Sequence, residues 1–236
     1  MPKVIHAAQP MLSVIVPLSP AEQKWQPLSQ QLAALPRGSE GIVVCADESL
    51  RQPPPMWPVH LRYRSCRSEP GRVREQNLGA SMVVGDWLWF LHADSRLHPE
   101  TLLELQRFLA QGRAALGWFT LAFRNDGPRR AALNAVGANW RARWLRLPFG
   151  DQGLLLPRWC FEARRGFDEQ AACGEDRLLV WAARHAGVPL QHIPAVLATS
   201  ARKYARDGWL HTTLRHWRLT PAQSWPAWGA TGRVGT

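Results

Sequence analysis

The 236-residue chain has only four cysteines, Cys45, Cys66, Cys160 and Cys173, with no CxxC pair and no close spacing. That argues against both a thiolate zinc site and a disulfide framework, and it fits a reducing compartment. Long apolar runs are also missing. No stretch approaches the roughly 18 uninterrupted apolar residues of a membrane span, and residues 1–10 carry one lysine and no apolar segment, so no signal peptide is expected. Lysine is scarce. Only Lys3, Lys24 and Lys203 occur, so nearly all the positive charge is arginine, densest after residue 124. The 29 Lys+Arg against 18 Asp+Glu give a formal charge of +11, which attracts anions such as nucleotide phosphates, nucleic acid or acidic lipid headgroups. An arginine-favouring composition on solvated faces explains the charge equally well. Repeats and low-complexity segments are absent. What is present is a packed globular balance, 46% hydrophobic and 20% charged, in a length that suits one α/β core.

Two short β-branched runs, residues 12–17 (LSVIVP) and 41–45 (GIVVC), predict buried strands. Residues 21–35 between them predict a helix ended by Pro36 and Gly38. Pro53, Pro54 and Pro55 break any element, after which 60–64 predicts a third strand. Residues 71–84 predict a helix ending at Gly85, and 87–91 (WLWFL) a further strand. This β, α, β, β, α, β order implies a mostly parallel sheet with helices on its faces, whose ligands bind at the carboxyl ends of the strands. The positions following Pro17, Cys45 and Leu91 are therefore the first places to look. Farther on, Leu102, Leu105 and Leu109 follow Pro99 at helical spacing. Residues 116–123 predict a strand, 129–145 a basic helix, 153–156 a strand and 176–186 a helix. From Thr199 the chain is rich in arginine and tryptophan, then loosens into Pro, Gly and Ala after residue 220.

Four constellations can carry chemistry, and each has a plainer reading. His92 and Asp94 directly follow the apolar strand at 87–91, where a carboxylate points into the ligand crevice and can hold Mg²⁺ or Mn²⁺ against a diphosphate. His92 suits Mn²⁺ better, imidazole being the softer donor. The alternative is a turn cap and a hydrogen-bonded core histidine. Gly174, Glu175 and Asp176 open a helix, which suits a general base or merely a complement to the helix dipole. Gly150, Asp151, Gln152 and Gly153 form a polar, glycine-flanked turn, offering carbohydrate-type hydrogen bonds or only a turn. Gly71 and Arg72 open another helix, where an arginine meets a phosphate or solvent.

Taken in order, SVIVP at 13–17, GRVREQNLG at 71–79, WFLHADSRL at 89–97, GDQG at 150–153, EDRL at 175–178 and TSAR at 199–202 resemble the motifs of the family-2 glycosyltransferases. Within that family they are most similar to a small subgroup without a membrane span. The resemblance runs from about residue 12 to about residue 217. It implies the GT-A fold, an α/β, Rossmann-like αβα sandwich with a mostly parallel central sheet. One catalytic domain is expected over 1–220, with a donor half at about 10–98, an acceptor half at about 99–220, and a flexible tail at 221–236. A nucleoside-diphosphate sugar, UDP-linked, is the implied donor, with Pro17, Asp47, Arg72, Asn77, Asp94 and Arg202 around it. Asp94 matches the surviving carboxylate of a DxD-type metal motif, His92 occupies the place of its first Asp, and His211 is a late ligand candidate, for Mn²⁺ or Mg²⁺. Asp176 matches the inverting base, with Glu175 beside it, and Asp151, Gln152 and Gly153 border the acceptor pocket.

The nucleotide end departs from the family pattern. Relatives carry an Asn-Glu pair after the first strand, where this chain has Ser19, Pro20, Ala21 and Glu22. Cys45 stands at the usual base-contacting Asp, leaving Asp47 as its replacement. The acceptor, whether a glycan, a lipid-linked group or a small molecule, has no signature. A cytoplasmic enzyme is expected, with peripheral contact at the inner face of the membrane suggested by Arg202, Lys203, Tyr204, Arg206, Trp209, Arg215, Trp217 and Arg218. Two other readings compete. A nucleotidyltransferase would share the core but usually places a glycine-rich loop after the first strand, where this chain reads Pro17-Leu18-Ser19-Pro20. A degenerate, non-catalytic protein would use its charge to bind a membrane or, less favoured, nucleic acid.

Overall fold

The computed structural model of the chain describes residues 11–18, 25–45, 57–58, 60–171 and 174–206. In chain order the elements are β1 (Leu12–Leu18), α1 (Gln26–Gln31), β2 (Glu40–Cys45), β3 (Arg62–Arg67), α2 (Arg72–Met82), β4 (Trp87–Phe90), β5 (Arg96–Leu97), α3 (Pro99–Ala110), β6 (Leu116–Phe123), α4 (Ala131–Trp144), β7 (Leu155–Pro157), α5 (Arg158–Glu162), α6 (Glu175–His185), β8 (Leu190–Thr199) and α7 (Arg202–Arg206). All eight strands join one sheet in the order β3-β2-β1-β4-β7-β6-β8-β5. From β3 to β4 the pairing is parallel. Strand β7 runs antiparallel to both β4 and β6, β6 and β8 are parallel, and β5 closes the far edge antiparallel to β8.

The alternation along β1 builds two cores. Leu12, Val14, Val16 and Leu18 face Trp25 and Leu28 at α1 and Leu102, Leu105, Phe108 and Leu109 of α3. Ile15, with Ile42, Val44, Leu88 and Phe90, faces Ala80 and Val83 at α2 and Leu179, Val180 and Ala183 of α6. A sheet buried on both faces needs near-continuous apolar strands, which is why β1 and β4 read so clearly. Pro17 is tolerated in an interior strand for a local reason. The Ile15 carbonyl accepts from the Leu91 N–H at 3.0 Å, so by alternation the Pro17 nitrogen faces the same side, where the pairing with β4 has already ended at Ile15 and Phe90.

Several boundaries differ from expectation. The helix expected over 21–35 is α1 followed by a 3₁₀ turn at Leu32–Ala34, with residues 21–24 outside the described set. The third strand starts at Arg62, because a turn closed by the Leu61 N–H on the Pro58 carbonyl at 3.0 Å precedes it. Strand β7 starts at Leu155, since Gly153 completes a turn with φ +64° and donates to the Gly150 carbonyl at 3.0 Å. Strand β8, the longest in the sheet, was not expected at all. Its pairing with β6 jumps from Phe119 and Ile193 to Thr120 and Val196, so Pro194 and Ala195 lie in a bulge, where a proline's missing N–H costs no ladder bond.

Candidate active site

Two helix N-termini and two strand ends converge at the carboxyl side of the sheet. Gly71, at φ +145°, turns the chain into α2 and puts Arg72 at its first position. Gly174, at φ +83°, does the same for α6 and puts Glu175 and Asp176 in its first turn. The Arg72 guanidinium donates to Glu175 Oε1 and, at 3.2 Å, to Asp176 Oδ2. Its other terminal nitrogen lies 3.3 Å from His92 Nε2. Both acidic side chains are buried, whereas Arg72 keeps 42% of its side chain exposed and so still opens to a ligand. The turn at Gly150–Gln152 closes over Asp176, so near that a β-carbon on Gly150 would sit 2.7 Å from Asp176 Oδ2.

Burial and neighbours push these groups apart in acidity. Burial drives the Asp176 carboxyl up to about 6, with Arg72 opposing and Glu175 and Asp151 adding to the rise. For Glu175 burial acts upward, but the Arg72 guanidinium outweighs it and the carboxyl stays below its ordinary value. Asp151 is raised by burial against the pull of Arg141 and Arg72. His92 is pushed down to about 3 by burial, then by Arg72 and Lys203, so its imidazole is neutral. Two adjacent carboxylates held at different acidities are the pattern of divided acid and base roles.

Asp94 grips the end of β8: Oδ1 accepts from the Thr199 hydroxyl at 3.0 Å and Oδ2 from the Ser200 N–H at 3.3 Å. Arg202 donates to the Ser200 hydroxyl at 2.9 Å and lies 3.9 Å from Asp126. Asn77 bonds the loop before α6, donating to the Phe167 carbonyl and Glu169 at 2.9 Å each and accepting from the Phe167 N–H at 2.9 Å. Gln152 is fully buried, accepting from the Phe149 N–H at 3.2 Å and donating to the Phe119 carbonyl and Asn139 at 3.3 Å each. The Gly153 α-carbon packs where a β-carbon would meet Leu197 at 2.7 Å. Pro17 lies in the buried end of β1. Asp47 and His211 lie outside the described residues.

Three residues that the sequence reading gave no site role belong to this neighbourhood. Lys203, in the first turn of α7, bears electrostatically on both His92 and Asp151. Arg141 bears on Asp151 and stacks 3.5 Å over the Phe149 ring. Asp126 accepts from the Ser200 hydroxyl and the Ala201 N–H at 2.8 Å each, and so fixes the turn that aims α7. Lys203 was visible only as part of the basic stretch read as a membrane contact; Asp126 and Arg141 gave no signal of their own in the sequence.

A family model described as "Glycosyl transferase family 2" matches residues 48–163, a span that holds Arg72, His92, Asp94 and the GDQG turn and ends before Glu175. Among solved structures, TarS 1-349 from S. aureus matches with a TM-score of 0.59 at 17% identity, over 80% of this chain and 60% of that one. The same protein in complex with UDP-GlcNAc matches equally, with 58% of that chain covered. The mannosyltransferase PcManGT from Pyrobaculum calidifontis, in complex with GDP-Man and Mn²⁺, matches with a TM-score of 0.56 at 18% identity, over 84% of this chain and 58% of that one. The chain thus spans under two thirds of the length of these neighbours. No curated protein matches its sequence. The chain has the GT-A glycosyltransferase fold of these neighbours, and its residues 48–163 match the family-2 glycosyltransferase model across the motifs that converge at one end of the sheet.

Proposed function

We propose that the protein transfers a sugar from a nucleoside-diphosphate donor, UDP-linked, to an acceptor hydroxyl with inversion, and that Asp176 is the base. The observation that carries this is the placement of Asp176: a buried carboxylate at a helix start, beside the Gly150 backbone and paired with Arg72. Held near 6, it is ionised at neutral pH and yet basic enough to accept a proton as the acceptor oxygen attacks, where a positioned base is worth roughly 10²–10⁴ in rate. The acceptor O–H gives its proton to Asp176, the oxygen bonds the anomeric carbon, and the bond from that carbon to the diphosphate oxygen breaks with its electron pair on the diphosphate. Arg72, Lys203 and Arg202 supply positive charge at the same end of the sheet, which favours the departing anion.

Among the described residues no group of three or more His, Cys, Asp and Glu side chains could hold a metal ion. Mg²⁺ or Mn²⁺ in a nucleotide site would be held by one or two carboxylates together with the phosphates of the substrate. Asp94 fits as such a carboxylate, because each oxygen takes one hydrogen bond here and keeps further acceptor capacity. His92 is neutral, but its Nε2 meets Arg72, so it joins the ligands only when Arg72 swings away. A bound cation would neutralise charge on the leaving diphosphate. Asp151 and Gly150 border the acceptor side. Asn77 and Gln152 position the adjoining loops through the hydrogen bonds given above.

The test is release of nucleoside diphosphate from a panel of nucleotide sugars by the wild type and by Asp176→Asn. A UDP-sugar should be consumed, with a fall of roughly 10²–10⁴ in the variant and donor binding retained. Full activity in the variant, or pyrophosphate release from a nucleoside triphosphate in place of sugar transfer, would sink the proposal.

A further inference from the structure

Helix α4 buries its small residues and exposes its large ones. Ala131, Ala135, Ala138 and Ala142 recur at helical spacing and are buried. At 100° per residue, Leu133, Val136, Trp140 and Trp144 fall within about 80° of arc on the opposite face, and they are 62%, 66%, 57% and 70% exposed, with Leu145 after them at 48%. A solvated helix carries polar residues on that face, so this stripe calls for a partner. Its rim is of one sign. Residues 127–150 contain Arg129, Arg130, Arg141, Arg143 and Arg146 and no Asp or Glu. Arg141 turns inward over Phe149 and Arg146 donates to the Leu190 carbonyl at 2.9 Å, leaving Arg129, Arg130 and Arg143 around the stripe.

We propose that the outer face of α4 docks on a bilayer surface containing anionic phospholipid. The 14-residue helix is about 21 Å long, too short to cross a membrane, and no helix among the described residues is long and apolar enough to do so. Lying in the interface, however, the helix places Trp140, Trp144, Leu133 and Val136 at acyl-chain depth and arginines at headgroup level. A second copy of the chain fits poorly, since a two-fold contact would set arginines against arginines. Nucleic acid would meet the arginines but leave Leu133 and Val136 without apolar partners. The peripheral contact expected from the basic stretch after Thr199 is here proposed for a different element; Trp209, Arg215, Trp217 and Arg218 of that stretch lie outside the described residues. It stands apart from the transfer chemistry and is read without donor or acceptor.

The experiment is vesicle flotation of the full chain with phosphatidylcholine alone and with one third phosphatidylglycerol. Wild type is expected to float with the phosphatidylglycerol vesicles only and to detach as salt rises. Trp140→Ala with Trp144→Ala, and separately Arg129→Glu with Arg143→Glu, should each lower partitioning roughly tenfold or more, with melting temperature and circular dichroism unchanged. Any one of four results overturns the proposal: no wild-type flotation, equal flotation with both vesicles, wild-type flotation by both variants, or a solution dimer that the tryptophan variant dissociates.

Discussion

A β-carbon on Gly150 would approach Asp176 Oδ2 to 2.7 Å and Oδ1 to 2.8 Å, closer than real β-carbons come. The atoms in the way belong to the end of a short side chain, so the fold survives Gly150→Ala while the carboxylate is displaced. The expected result is a melting temperature near that of wild type with a turnover lower by roughly 10²-fold, the loss typical of a misplaced catalytic group. Retained turnover would mean that Asp176 works from another position. Asp176 also bears on stability. Its folded pKa, about 6, lies above the ordinary 3.8, so its favourable contribution is complete below about 3.8 and fades as pH rises through about 6. Asp176→Asn removes that loss. At pH 8 the variant should melt no lower than wild type, and its melting temperature should vary less between pH 4 and 6, as thermal scans across pH would show. In the active protein, by the same titration, turnover should climb with pH through about 6. At this scale the sequence was partly legible: Arg72, His92, Glu175 and Asp176 stand out as polar residues at element starts and ends. Their mutual contact did not, because residues 72 and 175 meet only through the sheet.

Elements are read from periodicity, and where packing agrees with local preference the reading holds. Strand β6 and helix α3 fall close to expectation because an aromatic, apolar run and leucines at helical spacing match their settings. Strand β8 escaped because Pro189 and Pro194 mask a strand that needs a bulge to exist; α5, five residues long, is too short for any periodic signal. Helix α2 shows a constraint that only packing reveals. Gly79 lets the helix lie against the sheet so closely that a β-carbon would meet Ile15 Cγ2 at 2.7 Å and Val44 Cγ2 at 2.9 Å. Those side chains sit in a filled core, so Gly79→Val should destabilise the protein by about 1–3 kcal/mol through overpacking. Chemical denaturation measures that, and an unchanged midpoint would show that α2 can lift without cost. Asn77 links the same helix to the Phe167 backbone, so a displaced α2 should also loosen the approach to α6.

For the whole molecule, alternating strands and helices announced the layered α/β architecture, whereas the order of the sheet beyond β4 could not be read. That region mixes parallel and antiparallel neighbours, and no local pattern encodes which strand inserts between which. The result joins the parallel half of the sheet, which leads to His92 and Asp94, to the elements carrying Gly150, Asp176 and Lys203. Arg72 bridges them through His92 and the two carboxylates. A formal charge of +11 favours approach of an anionic donor and predicts affinity that weakens with ionic strength. The most direct test is calorimetric titration of nucleoside diphosphates and nucleotide sugars, with Mn²⁺ and with chelator, into wild type and Asp94→Ala. The account predicts metal-dependent binding of a uridine nucleotide that Asp94→Ala weakens; equal affinity with chelator, or no binding of any nucleotide sugar, would contradict it.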